Sequence, residues 1–120
     1  MAKIEKFEDL ESWKKARELT NRIYDLTTKG EFSKDYELRS QIRKASGSTM
    51  HNIAEGFEAG TDPEFIRFLK FARRSASEVQ SQLYLALDRN YIDLEPKEIC
   101  YELATDVKKL INGLIAYLSN

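Results

Sequence analysis

The chain has 120 residues, of which 42% are hydrophobic and 32% charged, and its 19 basic and 20 acidic side chains leave a net charge of −1. This length favours a single domain over residues 1–120, and the composition excludes a disordered chain, which typically combines low hydrophobicity with high net charge. The sequence pI is about 5.9, whereas a general nucleic-acid-binding domain typically has a pI above ~9.

Helix one is predicted at about residues 8–28. From Leu10 onwards, apolar and semi-apolar residues recur every three or four positions, which is the spacing of a helix with one buried face. Trp13 and Tyr24 are expected to be core aromatic residues. Gly30 follows as a C-terminal stop signal.

Helix two is predicted at about residues 34–58, with Ser33 or Asp35 as its N-cap. Its buried stripe is thin, because small and polar residues occupy positions where a core helix normally carries leucine. Gly47 lowers helix propensity by about 1 kcal/mol relative to alanine. We interpret Gly47 as a position where a neighbouring helix approaches closely.

Helix three is predicted at about residues 62–89 and has a strong start signal. Thr61 and Glu64 have the spacing of a capping box, and Pro63 suits the first turn because its missing N–H would have no partner there. The apolar positions alternate steps of four and three over three heptads, which is typical of the seam of a helical bundle. The seam residues are Phe65, Leu69, Ala72, Ala76, Val79, Leu83 and Ala86.

Helix four is predicted at about residues 95–118, with Pro96 in its first turn and Asp93 or Glu95 as its cap. Four amphipathic helices joined by short loops bury their stripes most simply as an antiparallel up-down-up-down four-helix bundle. No segment alternates with period two, so no β-sheet is predicted. The predicted fold class is therefore all-α.

The expected location of the protein is the cytoplasm. The single cysteine, Cys100, excludes an intrachain disulfide and favours a reducing compartment. The first residues lack the apolar segment of a secretory signal, and no run approaches the ~20 apolar residues that span a membrane. The sequence therefore predicts a soluble protein that does not interact with membranes.

Five segments of the sequence form a recognisable pattern, in which NIAEGF and EFIRFL are joined by a short loop. They are FEDLESWKKARELTNRIY at 7–24, SQIRKAS at 40–46, NIAEGF at 52–57, EFIRFLKFARRSASEVQSQLYLA at 64–86, and the Tyr91-Ile92 turn. Together they resemble the four-helix bundle proteins encoded in intervening sequences of bacterial 23S ribosomal RNA genes. More distantly, the chain is similar in fold to the accessory proteins of diversity-generating retroelements.

The family resemblance implies a homopentamer of four-helix bundles around a central channel, with no established enzymatic activity. The retroelement accessory proteins bind nucleic acid and a reverse transcriptase, but they are markedly basic, whereas this chain is slightly acidic. The family usually has Ile-Pro before NIAEG, and this chain has Thr49, Met50 and His51 there, which predicts a less kinked helix two. Glu58 stands where the family commonly has glycine.

Glu55 lies near the predicted corner between helices two and three, opposite the arginines that follow the start of helix three. One interpretation is a polar cluster that faces a ligand at that end of the bundle. The alternative is a structural corner pair in which Glu55 contacts Arg67 or Arg73, since paired, half-buried charges usually set local geometry.

Basic residues of helices two and three form a candidate nucleic-acid-binding strip. Arg67, Lys70 and Arg74 share one helix face, and Phe71 beside them is able to stack on a base. Repetition around an oligomer would make such a strip multivalent. The alternative is a solvated face whose charges pair with nearby glutamates, because phosphate binding needs uncompensated positive charge. The complete strip is Arg39, Arg43, Lys44, Arg67, Lys70 and Arg74.

Helix three also carries more apolar surface than one small bundle is expected to cover. Ile66, Phe68, Phe71 and Tyr84 lie outside its seam. They are either additional core or an oligomer interface, and we favour the interface for some of them because exposed apolar patches mark interaction sites.

No catalytic residue, metal site or cofactor is predicted. His51 and Glu55 are one helical turn apart, but two ligands do not make a zinc or di-iron site. Cys100 lies on an apolar stripe and is interpreted as a buried structural thiol. The sequence favours a non-enzymatic, homo-oligomeric binding or scaffold protein, expected to be a pentamer. The alternative is an accessory protein that binds RNA, DNA or a nucleic-acid enzyme.

Overall fold

The structure is a computed structural model that describes residues 3–120. These residues form four long α-helices and no β-strand. A 3-10 turn at Phe7–Asp9 precedes the first α-helix, and a second 3-10 turn at Gly30–Lys34 follows that helix. The first α-helix begins three residues later than predicted. The all-α prediction is confirmed. The helices are α1 (Glu11–Thr27), α2 (Tyr36–Glu58), α3 (Asp62–Asp88) and α4 (Leu94–Leu118).

Contacts between the helices show the direction in which each one runs. Between α3 and α4, Arg73 donates to Asn112 while Gln80 donates to Thr105, so residue numbers fall on one helix as they rise on the other. Consecutive helices pack on each other, and α4 also packs on α1. The result is an antiparallel bundle about 45 Å long, as predicted.

The apolar stripes meet in two core clusters, one toward each end of the bundle. The predicted seam of α3 is confirmed, since six of its seven residues are buried and Phe65 is half-buried. Near the middle of α2 the packing is made by small hydroxylated residues. Thr20 Oγ1 donates to the Ser46 carbonyl at 2.9 Å, and the hydroxyls of Ser48 and Ser75 lie 3.0 Å apart. These bonds satisfy the polar groups that the thin stripe of α2 brings inside.

Gly56 is the glycine at which α2 and α3 approach closely. A Cβ atom at this position would lie 2.8 Å from Phe68 Cβ and 2.9 Å from Phe65 Cδ1. The interpretation of Gly47 as a close-approach site is wrong, because a Cβ there would meet only the His51 side chain, at 3.8 Å. Gly47 therefore weakens the helix without a packing role.

The α3–α4 loop is fastened to the α1–α2 connection. α3 ends in a Schellman motif, in which Asn90 has a φ of 61° and the N–H of Tyr91 donates to the Ala86 carbonyl at 2.9 Å. This turn places the Tyr91 ring on Phe32, with 5.3 Å between ring centroids, and lets its hydroxyl donate to Asp35 Oδ2 at 2.9 Å. One end of the bundle is therefore closed by a contact between its two loops.

Of the two predicted N-caps of α2, Ser33 and Asp35, the structure shows Asp35. Its Oδ1 accepts from the backbone N–H of Leu38 at 3.1 Å. This bond, the bond from Tyr91 and the charge of Arg89 outweigh the effect of burial and hold the pKa of Asp35 below its ordinary value of 3.8. At the start of α3, Thr61 Oγ1 accepts from the backbone N–H at position 64 at 3.4 Å, which is half of the predicted capping box.

The two aromatic residues of α1 differ in their surroundings. Trp13 is half-buried against the core and packs edge-on against Phe7, with 5.2 Å between ring centroids. Tyr24 is 45% exposed, and the guanidinium of Arg43 lies 4.5 Å from its ring centroid. The prediction that Tyr24 is a core residue is therefore wrong, because its ring lies outside α1 against a cation from α2.

Candidate functional site

The six residues of the predicted basic strip are spread along the length of the bundle. Arg39 and Arg43 are near the start of α2, whereas Arg67 is near the start of α3. Because these helices are antiparallel, Arg39 and Arg67 are roughly 20 Å apart along the axis at a rise of ~1.5 Å per residue. Lys44 and Arg74 lie at similar heights near the middle. The six residues therefore do not form one continuous cluster.

Arg39 and Arg43 are held by the α1–α2 connection. Arg39 Nη1 donates to the Ser33 carbonyl at 2.8 Å, and its guanidinium lies 4.8 Å from the ring centroid of Tyr36. Arg43 Nε donates to Thr27 Oγ1 at 2.8 Å. Each of these guanidinium groups therefore uses N–H donors for hydrogen bonds within the chain. Fewer N–H donors remain on Arg39 and Arg43 to bind a phosphate.

Arg67 is paired with a glutamate one turn earlier in the same helix. Its Nη2 and Nε lie 2.9 Å and 3.1 Å from the two carboxylate oxygens of Glu64. These hydrogen bonds, with the attraction between the charges, lower the pKa of Glu64 and raise the pKa of Arg67. The guanidinium also lies 4.8 Å from the Phe68 ring centroid and 5.4 Å from that of Phe71. The charge of Arg67 is thus compensated, as the alternative interpretation of the strip predicts.

The predicted corner pair of Glu55 with Arg67 or Arg73 does not form in the structure. Arg67 is engaged by Glu64, and Arg73 Nη1 donates to Asn112 Oδ1 at 2.7 Å. Glu55 is exposed and makes no ion pair with any residue in the 3–120 range. The reason is the rotation of α3 about its axis, which turns Arg73 toward α4 and away from α2.

Three basic residues of the strip, Lys44, Lys70 and Arg74, are exposed and form no ion pair within the described part of the chain. The guanidinium of Arg74 lies 5.9 Å from the ring centroid of Phe71, so a cation stands beside a half-exposed aromatic surface. Glu78 follows one turn beyond Arg74. These three are the exposed cations of the strip without an ion pair, and the half-buried Arg39 and Arg43, which donate to neutral oxygens, also lack an ion pair among residues 3–120.

The four predicted interface residues lie on two sides of α3. Phe68 faces Gly56 of α2 and packs edge-on against Phe71, with 6.1 Å between ring centroids. Tyr84 is 49% exposed on the other side, where its ring packs against a tyrosine of α4. Ile66 precedes Tyr84 by five full helical turns, so it shares that side but lies roughly 27 Å away along the axis at a rise of ~1.5 Å per residue. Each chain therefore presents two separate apolar surfaces.

The sequence patterns did not identify Lys97, which is buried beneath two tyrosines. Only 4% of this residue is exposed, and its Nζ lies 4.0 Å and 4.6 Å from the ring centroids of Tyr84 and Tyr101. Burial favours a lower pKa for Lys97, but hydrogen bonding and charge attraction from Glu98 and Tyr84 outweigh it and raise the pKa. The sequence contained one signal that Lys97 is buried: it lies three residues before Cys100, on the buried stripe of α4.

The chemistry that the described residues offer is limited. Between residues 3 and 120, no group of three or more His, Cys, Asp or Glu side chains is arranged to hold a metal ion. The Cys100 thiol is buried, and burial raises its pKa to about 11, so it is protonated at neutral pH. Over the same span, no helix combines the length and the apolar character needed to cross a membrane.

The arrangement of these helices can be compared with known proteins. Residues 8–113 match the family described as 23S rRNA-intervening sequence protein. The chain belongs to the 23S rRNA-intervening sequence protein family. The chain is also similar to a crystal structure of a protein of unknown function from the S23 ribosomal protein family of Bacteroides thetaiotaomicron. The TM-score is 0.81 at 26% identity, covering 88% of this chain and 95% of that one. No curated protein matches the sequence.

The family assignment confirms the resemblance carried by the NIAEGF and EFIRFL segments. In the structure, the two segments pack against each other at the α2–α3 corner. Gly56 faces Phe65 and Phe68, and the rings of Phe57 and Phe65 meet edge-on with 6.0 Å between their centroids. The most distinctive motif of the chain is thus explained by close helix packing.

Proposed function

We propose that this protein is a non-enzymatic homo-oligomer, a pentamer of four-helix bundles, that acts as a binding or scaffold protein in the cytoplasm. The observation that carries the proposal is the apolar surface on two sides of α3, where Phe68 and Phe71 are half-buried and Tyr84 is 49% exposed. Exposed apolar patches of this kind commonly mark protein interfaces. The number five follows from the family resemblance.

The position of the two surfaces supports a ring. A symmetric dimer uses one self-complementary surface, whereas a ring needs two different surfaces on each subunit, so that each binds the next. Phe68 and Phe71 form the surface on the α2 side, and Tyr84 marks the surface on the α4 side. The proposed contact therefore joins the α2 side of one subunit to the α4 side of its neighbour.

The test uses two variants that each damage one surface. Native mass spectrometry and light scattering should find a pentamer for the wild type and monomers for Phe71→Glu and Tyr84→Glu. The exposed residue Leu94, which is on α4, provides the control variant Leu94→Glu, expected to remain pentameric. Mixing the two monomeric variants should give a one-to-one dimer, because each keeps the surface that the other has lost. A wild type that is monomeric at micromolar concentration would refute the proposal.

A second candidate function is RNA or DNA binding. The supporting observation is that Lys44, Lys70 and Arg74 are exposed cations without ion pairs among the described residues, and that Arg74 lies beside the Phe71 ring. The expected binding is weak for one chain, salt-sensitive and strengthened by assembly, since each released counterion adds to the salt dependence. A nucleic-acid enzyme as partner belongs to the same candidate.

Fluorescence anisotropy with single-stranded RNA and DNA, over a series of salt concentrations, tests this second function. The double variant Lys70→Glu/Arg74→Glu should weaken binding and reduce its salt dependence. Lys6→Glu/Lys29→Glu makes the same charge change at exposed lysines elsewhere and should have a smaller effect. Absence of binding at low salt by the wild type would remove nucleic acid from consideration.

A further inference from the structure

An open cleft of about 800 Å³ lies between the start of α1 and the end of α4. The α2–α3 corner contributes Phe57 and Phe65 to its lining, and the two flanking helices contribute Leu10, Leu114 and Leu118. The volume is within the range of about 300–1,000 Å³ that is typical of small-molecule sites, which are mostly apolar with a few placed polar groups.

Ser12 is a polar residue in the wall of this cleft. It is only 2% exposed, and its hydroxyl has no hydrogen-bond partner among the described residues. A buried hydroxyl without a partner is uncommon in folded proteins. Every other buried serine or threonine hydroxyl in residues 3–120 donates to a backbone carbonyl, namely Thr20, Thr27, Ser46 and Thr49.

The start of α1 adds backbone donors at the same wall. Leu10 occupies the N-cap position, and no side chain caps this helix. The N–H groups of the first turn, including those of Glu11 and Ser12, therefore lack the intrahelical partners that later residues have. They lie at the positive end of the helix dipole, which attracts anions. Glu11 and Ser12 both line the cleft, so the buried hydroxyl and the first-turn N–H groups without intrahelical partners belong to neighbouring residues of its lining.

The charges around the cleft favour an anionic ligand. Lys3 and Lys109 line it and make no ion pair with any described residue. Two acidic residues also line it, but Glu11 pairs with Lys14 at 3.3 Å, and Asp62 lies in the first turn of α3, where the helix dipole stabilises its charge. The charged lining residues without an ion pair to any described residue are therefore Lys3, Lys109 and Asp62, and their charges sum to one positive charge.

We propose that this cleft binds an amphipathic carboxylate, a molecule with an apolar chain and one carboxylate head. The carboxylate accepts hydrogen bonds from Ser12 Oγ and from the first-turn N–H groups of α1. The apolar chain lies against Phe57, Phe65 and Leu114. The proposal is independent of the oligomeric and nucleic-acid-binding functions, because it uses the end of the bundle rather than the sides of α3.

Dodecanoate, with dodecanol as a probe of equal chain length, tests the proposal. Isothermal titration calorimetry gives the affinities. The fluorescence of Trp13, the single tryptophan, gives an independent signal, since its side chain packs in the same core cluster as Leu10 and Leu114. We expect dodecanoate to bind about tenfold more tightly than dodecanol, because its charged head accepts stronger hydrogen bonds. Equal affinities for the two probes, or no binding of dodecanoate, would overturn the proposal.

Variants separate a ligand site from a packing feature. Ser12→Ala should weaken dodecanoate binding about tenfold without lowering stability, since its hydroxyl has no partner to lose. Gly113→Leu should abolish binding, because position 113 lines the cleft with no heavy atom within 4 Å of an added Cβ. Gly47→Leu is the matched control in α2 and should bind normally. If Gly113→Leu instead dissociates the oligomer, and the intact oligomer does not bind dodecanoate, the cleft is covered by a second copy of the chain and the proposal fails.

Discussion

The substitution Gly56→Ala tests the close approach of α2 and α3 directly. The added Cβ would lie 2.8 Å from Phe68 Cβ, 2.9 Å from Phe65 Cδ1 and 3.2 Å from the Phe65 carbonyl oxygen. Phe68 Cβ and the carbonyl oxygen are fixed to the backbone, so the helices must separate to admit the methyl group. Such overpacking costs about 1–3 kcal/mol, and the backbone contacts favour the upper part of this range. The higher helix propensity of alanine stabilises the helix by about 1 kcal/mol relative to glycine, so the net destabilisation is about 1–2 kcal/mol.

Gly47→Ala is the matched control, because it makes the same change in the same helix without the contact. It should raise the free energy of unfolding by about 1 kcal/mol. Urea denaturation followed by far-UV circular dichroism measures both variants, at one protein concentration because assembly contributes to stability. We expect the variants to differ by about 2–3 kcal/mol, or roughly 10 °C in Tm. If Gly56→Ala stabilises the protein as much as Gly47→Ala, the packing explanation of the motif is refuted.

Three further predictions concern single side chains. Asp35→Asn keeps a capping acceptor but removes the charge. Since the pKa of Asp35 is held below 3.8 in the folded protein, the stability from this carboxylate is present at neutral pH and lost as the pH falls through its folded value. The deficit of the variant in urea unfolding should thus disappear in acid, and a deficit independent of pH would contradict this. Lys97→Ala should lower the urea midpoint more than Lys109→Ala, because only Lys97 is buried against two rings; equal midpoints would argue against that role. Cys100, with a pKa raised to about 11, should react with iodoacetamide at pH 8 about a hundredfold more slowly in the folded protein than in urea, and equal rates would show that the thiol is accessible.

The helices could be predicted from the sequence because each one carries local signals. The Thr61-Asp62-Pro63 start and the four-three spacing of the α3 seam act within a few residues and need no knowledge of the rest of the chain. The start of α1 was predicted less well. Leu10 has an extended backbone, with φ of −72° and ψ of 126°, and separates a 3-10 turn from the helix. No capping side chain marks this boundary, so the sequence contains no signal for it.

Side-chain partners could not be predicted in the same way, because they depend on how each helix is rotated about its axis. Successive residues of an α-helix differ by about 100° in direction, so a small rotation changes which neighbour a side chain meets. This is why Arg73 contacts Asn112 of α4 instead of Glu55, and why Tyr24 is exposed. The basic strip failed as a unit for a related reason, since Arg39 is at the opposite end of the bundle from Arg67.

The contact between the two loops at the closed end has a kinetic consequence. The Tyr91 hydroxyl meets Asp35 across a separation of 56 residues. Bringing such distant positions together costs more chain entropy than forming the neighbouring helix pairs, so we expect this contact to form late in folding. Interactions absent from the transition state change the unfolding rate and leave the folding rate nearly constant. Weakening the loop contact is therefore expected to shorten the lifetime of the native bundle more than it slows folding.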